Sequence, residues 1–160
     1  MGQPHVVTLR ATRAGDLDAL FRFSRDPGAV RMAAFTPDDP DDRAAFDAHW
    51  QRLLADSGVD ARTVRADGDI VGSVARWFDG GVAEITYWID PSRWGEGIAT
   101  RAMRLFLDAL DERPVRARVA SDNAGSIAVL EKLGFRQVGI EVSFASARGA
   151  EIEERIYSLD

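Results

Sequence analysis

The sequence predicts an α+β fold, a mixed and largely antiparallel sheet with helices on both faces, and three observations carry that expectation. Three strand-like runs follow one another through the turns Asp67-Gly68-Asp69 and Asp79-Gly80-Gly81, the pattern of an antiparallel meander. The third run ends at Asp90-Pro91, and after Gly95-Glu96-Gly97 the apolar period changes from two to helical spacing, so strand gives way to helix on the glycines. A further β-type run, Val115 to Ala120, comes after that helix, and the strand-helix-strand order makes it parallel to the strand over Val82 to Asp90.

The elements follow in chain order. Val6, Val7, Thr8 and Leu9 open a short strand that Gly15 ends; Asp16 then reads as the N-cap of a helix carrying Leu17, Leu20, Phe21 and Phe23 and stopping before Pro27. Ala29 to Pro37 has no clean period and reads as a loop or short helical turn. Asp39-Pro40-Asp41-Asp42 combines a capping Asp, a Pro at the first helical position and acids where the helix dipole favours them. Phe46, Trp50, Leu53 and Leu54 continue that helix to Gly58. The acidic cluster is thereby explained as a helix start ahead of an ammonium-binding site. After the glycine turn, Ile98, Ala102, Leu105, Phe106 and Ala109 mark a central helix, widened by Met103, Leu107 and Leu110. Ser121-Asp122-Asn123 caps a helix through Ile127, Leu130 and Leu133 that Gly134 closes. Phe135 to Phe144 and Glu151 to Leu159 form a terminal hairpin. The order is β-α-α-β-β-β-α-β-α-β-β.

Bulk properties bound the function. A chain of 160 residues makes one domain, residues 1–160, large enough to bury roughly 70% of its unfolded surface. With no Cys, a disulfide scaffold, a thiolate metal site and a Cys nucleophile are all excluded. Two His residues with no acid partner at ligand spacing predict no metal. A net charge of −6 without a basic cluster argues against nucleic acid. No apolar run approaches the ~20 residues of a membrane span, and Met1 to Arg10 lacks the apolar core of a signal peptide, so the expected location is cytoplasmic and no membrane is a partner.

The chemistry concentrates between Glu84 and Thr100. Amides at a strand-to-helix turn have no intrahelical partner and form an anion cradle, which glycines let a ligand approach closely. A Walker loop needs Gly-Lys-Ser/Thr, but Ile98 follows Gly97; a dinucleotide fingerprint needs a third Gly or Ala where Thr100 stands. Upstream, Glu84, Thr86 and Trp88 share one face of the strand, and Ala83, Ile85, Tyr87 and Ile89 the other.

Gly95-Glu96-Gly97-Ile98-Ala99, with Asn123-x-x-Ser126-x-x-x-Leu130-Glu131-Lys132-Leu133-Gly134-Phe135 downstream, resembles the two motifs of the GNAT N-acetyltransferase superfamily. Tyr87-Trp88-Ile89 and Trp94-Gly95 look like the branch that includes the ribosomal-protein N-terminal acetyltransferases. The resemblance implies a central parallel strand pair that splays apart. It implies acetyl-CoA as cosubstrate: Trp94, Gly95, Glu96, Gly97, Ile98, Ala99 and Thr100 at its pyrophosphate, Ile89 backbone groups along its pantetheine, and Asn123 at its arm. It further implies an amine acceptor, either a peptide N-terminus or a small molecule, and homodimerisation as a common assembly.

An attacking amine must be neutral, the carbonyl polarised and the leaving thiol stabilised. Glu84 is the candidate base, acting through water. The superfamily's usual acid, a Tyr, falls at Leu130, so the resemblance assigns the leaving sulfur to Ser126. The alternative is a non-catalytic acyl-CoA-binding module, separable from an enzyme by CoA release. The Arg31 to Asp42 region and the Phe144 to Ile152 hairpin are expected to flank the amine.

Overall fold

The computed structural model describes residues 5–160, so residues 1–4 of the Met1 to Arg10 stretch lie outside it. Among the described residues, seven strands form one sheet in the order β1-β2-β3-β4-β5-β7-β6. They are β1 Val7–Ala11, β2 Asp60–Ala66, β3 Asp69–Asp79, β4 Val82–Ile89, β5 Val115–Ala120, β6 Arg136–Ala145 and β7 Ala150–Leu159. Among these described strands, only β4 and β5 pair in parallel. The α+β architecture expected from the sequence is present, with α1 Leu17–Ser24, α2 Pro27–Ala33, α3 Arg43–Ala55, α4 Ile98–Ala109 and α5 Ala124–Lys132.

The register locates the opening in this sheet. β4 pairs with β3 along its whole length, from Val82 opposite Asp79 to Ile89 opposite Gly72. With β5 it shares only two pairs, Ala83 with Val115 and Glu84 with Arg116. Beyond Glu84 the two strands part, because β5 continues against β7 as far as Ala120. From Ile85 onward, the β5-facing edge of β4 has no strand partner.

The two faces are covered by different helices. Ile98, Ala102, Met103, Phe106 and Leu107 of α4 are buried against Ile85, Ile89 and Val115 of the sheet, in a cluster that also takes in Leu130 of α5 and Phe135. Each large side chain so buried contributes about 1.5–3 kcal/mol, which fixes α4, and hence the loop that starts it, firmly on the sheet. On the other face Leu17, Leu20, Phe23 and Trp50 form a smaller cluster, against which Trp88 of β4 packs. The Trp88 indole N–H also donates to the Phe23 carbonyl at 3.0 Å, pinning α1 to β4.

Two local expectations are corrected and a third is extended. The first helix stops before Pro27 as expected, but Asp26 accepts from the Ala29 amide at 2.9 Å, Pro27 occupies the first turn, and a separate helix, α2, runs to Ala33. The cap of α3 is Asp42, which accepts from the Ala45 amide at 3.0 Å, and Asp39-Pro40 forms the turn before it. Asp16 makes no cap hydrogen bond to α1. Its carboxylate instead takes Arg10 at 2.7 and 2.8 Å, the Arg13 amide and the Thr63 hydroxyl, and the Arg10 guanidinium holds it well below the usual carboxylate range. Among the described residues, no helix is long and apolar enough to cross a membrane.

Candidate active site

At the end of β4 the chain makes a short 3-10 turn over Pro91–Arg93, capped by Asp90, whose Oδ1 accepts from the Ser92 amide at 3.0 Å. Gly95 and Gly97 follow with φ of 83° and 78°, the left-handed region that other residues enter at a cost. A Cβ at either glycine would meet nothing within 4 Å, so backbone conformation and not crowding requires glycine, and the space over the turn is open. Gly97 caps α4 without any side-chain hydrogen bond. The first intrahelical bond there runs from the Arg101 amide to the Gly97 carbonyl, leaving the Ile98, Ala99 and Thr100 amides free for an anion. Replacing Gly97 with valine should therefore weaken acetyl-CoA binding about tenfold or more, read by calorimetry, since a β-branched residue cannot hold that conformation without shifting the amides. An unchanged Kd would remove the loop from the anion site.

The cleft into which these amides point has a volume of about 590 Å³. Every cofactor position expected from the sequence lines it except Glu96. The Glu96 side chain turns away, to Arg93 Nε at 3.1 Å and to His5 Nε2 at 2.7 Å, so that only its backbone belongs to the loop. Arg93 lines the cleft while held by this carboxylate.

Antiparallel pairing alternates the direction of backbone groups. The Asp90 amide donates across to the Val71 carbonyl at 2.7 Å, so Trp88 and Asp90 face β3, and Tyr87 and Ile89 face the gap toward β5. Trp94 closes part of that gap: its indole N–H donates to the Ile89 carbonyl at 3.1 Å. The Ile89 N–H thus remains the donor for a group lying in the gap. Trp94 was expected at a phosphate; its polar atom is instead engaged with the strand, and the ring, 52% exposed, forms a wall.

On α5, the Asn123 carbonyl oxygen caps the helix, accepting from the Ser126 amide at 3.2 Å, while Asn123 also lines the cleft. The Ser126 hydroxyl lies 2.7 Å from the Tyr87 hydroxyl. Burial pushes the Tyr87 phenol above its ordinary value, only partly offset by the hydrogen bond to Ser126. Leu130 is 3% exposed and belongs to the core. Sequence reasoning placed Tyr87 on the strand face shared with Ala83, Ile85 and Ile89 and gave it no role. What the sequence does not show is which helices cover the face shared by Tyr87 and Ile89, namely α4 and α5. Ala29, Met32 and Ala33 of α2 also line the cleft, although their segment read only as a loop or short helical turn.

Glu84 sits apart from this wall. It lies on the opposite face, shared with Thr86 and Trp88, at the last paired register before the strands part. It is 4% exposed, and Arg118 Nε lies 3.8 Å from its Oε1. Burial raises its pKa, and the Arg118 charge opposes that rise. Arg118 also contacts Glu141 at 2.6 Å and Glu154 at 3.4 Å. At ~3.3 Å per residue, Glu84 is about 13 Å along β4 from Trp88, at the closed end of the gap, with the exposed Thr86 between them on the same face.

The hairpin turn joins the α2 segment here. Arg148 bridges Asp122 at 2.7 and 2.9 Å and the Arg31 carbonyl at 2.7 Å, and Ser146 donates to Asp38 at 2.7 Å.

A splayed parallel pair and an uncapped glycine turn aimed into the gap form a cleft that suits an extended, anionic ligand. A family model described as an acetyltransferase (GNAT) domain matches residues 7–136, and the chain belongs to this family. It is 26% identical to the uncharacterized N-acetyltransferase p20 of Bacillus licheniformis, over 96% of this chain and 92% of that protein. It is 30% identical to the N-alpha-acetyltransferase RimI of Mycobacterium tuberculosis, over 73% of this chain and 75% of that one. Among solved structures, Mycobacterium smegmatis RimJ in complex with CoA-disulfide superposes with a TM-score of 0.81 at 26% identity, covering 96% of this chain and 81% of that chain. The protein is an acetyltransferase, and its cosubstrate is acetyl-CoA.

Proposed function

We propose that this acetyltransferase moves the acetyl group to a primary amine, a protein N-terminus or a small-molecule amine, by direct attack in a ternary complex. The observation that supports this most is the parting of β4 and β5 after Glu84, which opens the sheet between a cofactor face bearing Ser126 and a face bearing Glu84. Acetyl-CoA supplies an activated carbonyl and a thiol leaving group. The chain's residues would do the rest. The Ile98, Ala99 and Thr100 amides hold pyrophosphate, Asn123 and the Ile89 backbone position the arm, and the Ile89 N–H polarises the carbonyl. Glu84 takes the amine's proton through water, and Ser126 faces the departing sulfur. The Arg148 bridge between the hairpin turn and α2 supports the expectation that the Arg31 to Asp42 region and the Phe144 to Ile152 hairpin frame the acceptor.

An α-amino group, with a pKa near 8, needs less deprotonation than a Lys-type amine near 10.4. RimI is named for N-alpha-acetylation, so N-terminal peptides come first in the test. Purified protein is assayed for CoA thiol release with N-terminal peptides, polyamines, amino acids and aminoglycosides. Efficient release with one class identifies the acceptor. Acetyl-CoA binding with no release across the panel would instead favour an acyl-CoA-binding module, the reading that Leu130 at the usual acid position supports.

A further inference from the structure

We propose that Tyr87 is a positioning residue for the leaving thiol: its hydroxyl donates to Ser126 and so turns the Ser126 O–H toward the sulfur. This rests on the acetyltransferase reading of the cleft. The two oxygens are 2.7 Å apart, and either could donate. Their acidities decide which does. Among the described residues, Ser126 is the only hydrogen-bond partner of the Tyr87 hydroxyl. A phenol is the more acidic hydroxyl and the poorer acceptor of the two, so Tyr87 donates and Ser126 accepts. The Ser126 hydrogen is then free for a group in the cleft that both residues line.

Acidity favours positioning over proton transfer. Transfer from a phenol of ordinary pKa ~10, raised further by burial, to a thiolate of ~8.5 is uphill, and the Tyr87 hydrogen is already engaged with Ser126. During the reaction the new N–C bond forms and the C–S bond breaks, with the electron pair remaining on sulfur. The amine's proton goes to Glu84 through water. Sulfur departs as a thiolate that accepts one hydrogen bond from Ser126, and both Ser126 and Tyr87 keep their protons. The buried Leu130 leaves α5 without a phenol at its usual place; Tyr87 brings one from β4, to act through the serine.

The test compares Tyr87→Phe, Ser126→Ala and the double variant. Each single change should lower kcat about two- to tenfold, the worth of one hydrogen bond, with KM for acetyl-CoA within twofold. The double variant should fall no further than the worse single one. Calorimetry adds a readout independent of turnover: at a pH where the thiol ionises, wild type should bind CoA more tightly than desulfo-CoA, and Tyr87→Phe should lose that preference. Should the Phe variant not fold, ¹³C-tyrosine labelling of wild type and Ser126→Ala serves, since the chain has only two tyrosines. CoA should then shift the Tyr87 signal more than desulfo-CoA does in wild type alone. A Tyr87→Phe variant with wild-type kcat and CoA preference, losses that multiply in the double variant, or equal shifts from the two ligands would each overturn the proposal. Failure of every acceptor in the panel leaves the CoA and desulfo-CoA comparison intact, so the two failures are distinguishable.

Discussion

Replacing Glu84 with glutamine should lower kcat about 100-fold or more, the usual contribution of a positioned general base, while raising the thermal midpoint at neutral pH. Both effects have one cause. Burial on the α1 face of β4 raises the Glu84 pKa; Arg118 and Arg116 pull it down, and Asp79 and Glu154 add to the rise. A carboxyl whose folded pKa lies above its unfolded value contributes stability that is fully present below the unfolded pKa. That contribution is lost as pH rises through the folded pKa. Above the folded pKa the wild-type chain has therefore lost it, whereas glutamine is neutral throughout. The stability gain of Glu84→Gln should shrink as pH falls toward the ordinary carboxylate range. The base must be ionised to act, so kcat/KM of wild type should rise with pH through a value above that range, and this limb should vanish in the variant. A glutamine variant with wild-type kcat, or with the same rising limb, would show that the proton leaves by another route.

The parts of this site that were legible are those whose geometry is set by a few consecutive residues. Gly95 and Gly97 require positive φ, the apolar period changes beside them, and Asn123 caps its own helix; each is local, so the loop, α4 and α5 could be read from the chain. Strand parity likewise put Glu84 and Tyr87 on opposite faces. What parity cannot supply is which helix covers a face, and so the meeting of Tyr87 with Ser126, 39 residues apart in sequence, was invisible. Asp26-Pro27 carries the same signal as a helix start, yet it reads equally as a stop, because Pro ends one helix and begins the next in adjacent turns. The Asp16 cap failed because other partners take the carboxylate: Arg10 on β1, six residues upstream, supplies a charge, the Arg13 amide adds a local bond, and the distant Thr63 on β2 adds a hydroxyl.

The largest structural effect expected from one added methyl is at Gly72, which nothing in the sequence distinguishes from its neighbours. Gly72 is buried in β3 opposite Ile89, where β4 forms the edge of the open gap. A Cβ there would lie 2.1 Å from the Trp88 carbonyl oxygen and 3.0 Å from the Ile89 Cα, both backbone atoms. Neither can move unless β4 moves, and β4 is anchored by Trp88 to α1 and by Ile89 to the α4 core. Gly72→Ala should therefore cost about 1–3 kcal/mol or more by overpacking, a fall of several degrees in Tm for a chain of this length. Acetyl-CoA affinity should fall with it, because the displaced segment carries the Ile89 N–H. Gly139→Ala is the matched control: it adds the same methyl to a strand, yet its Cβ would meet only Ile156 side-chain atoms at 3.6 and 4.0 Å, an ordinary contact. Thermal melts and calorimetry of the two variants side by side decide the matter. Equal melting temperatures would mean that β4 yields freely at Trp88 and Ile89, and an edge that yields freely could not hold a carbonyl in place for attack.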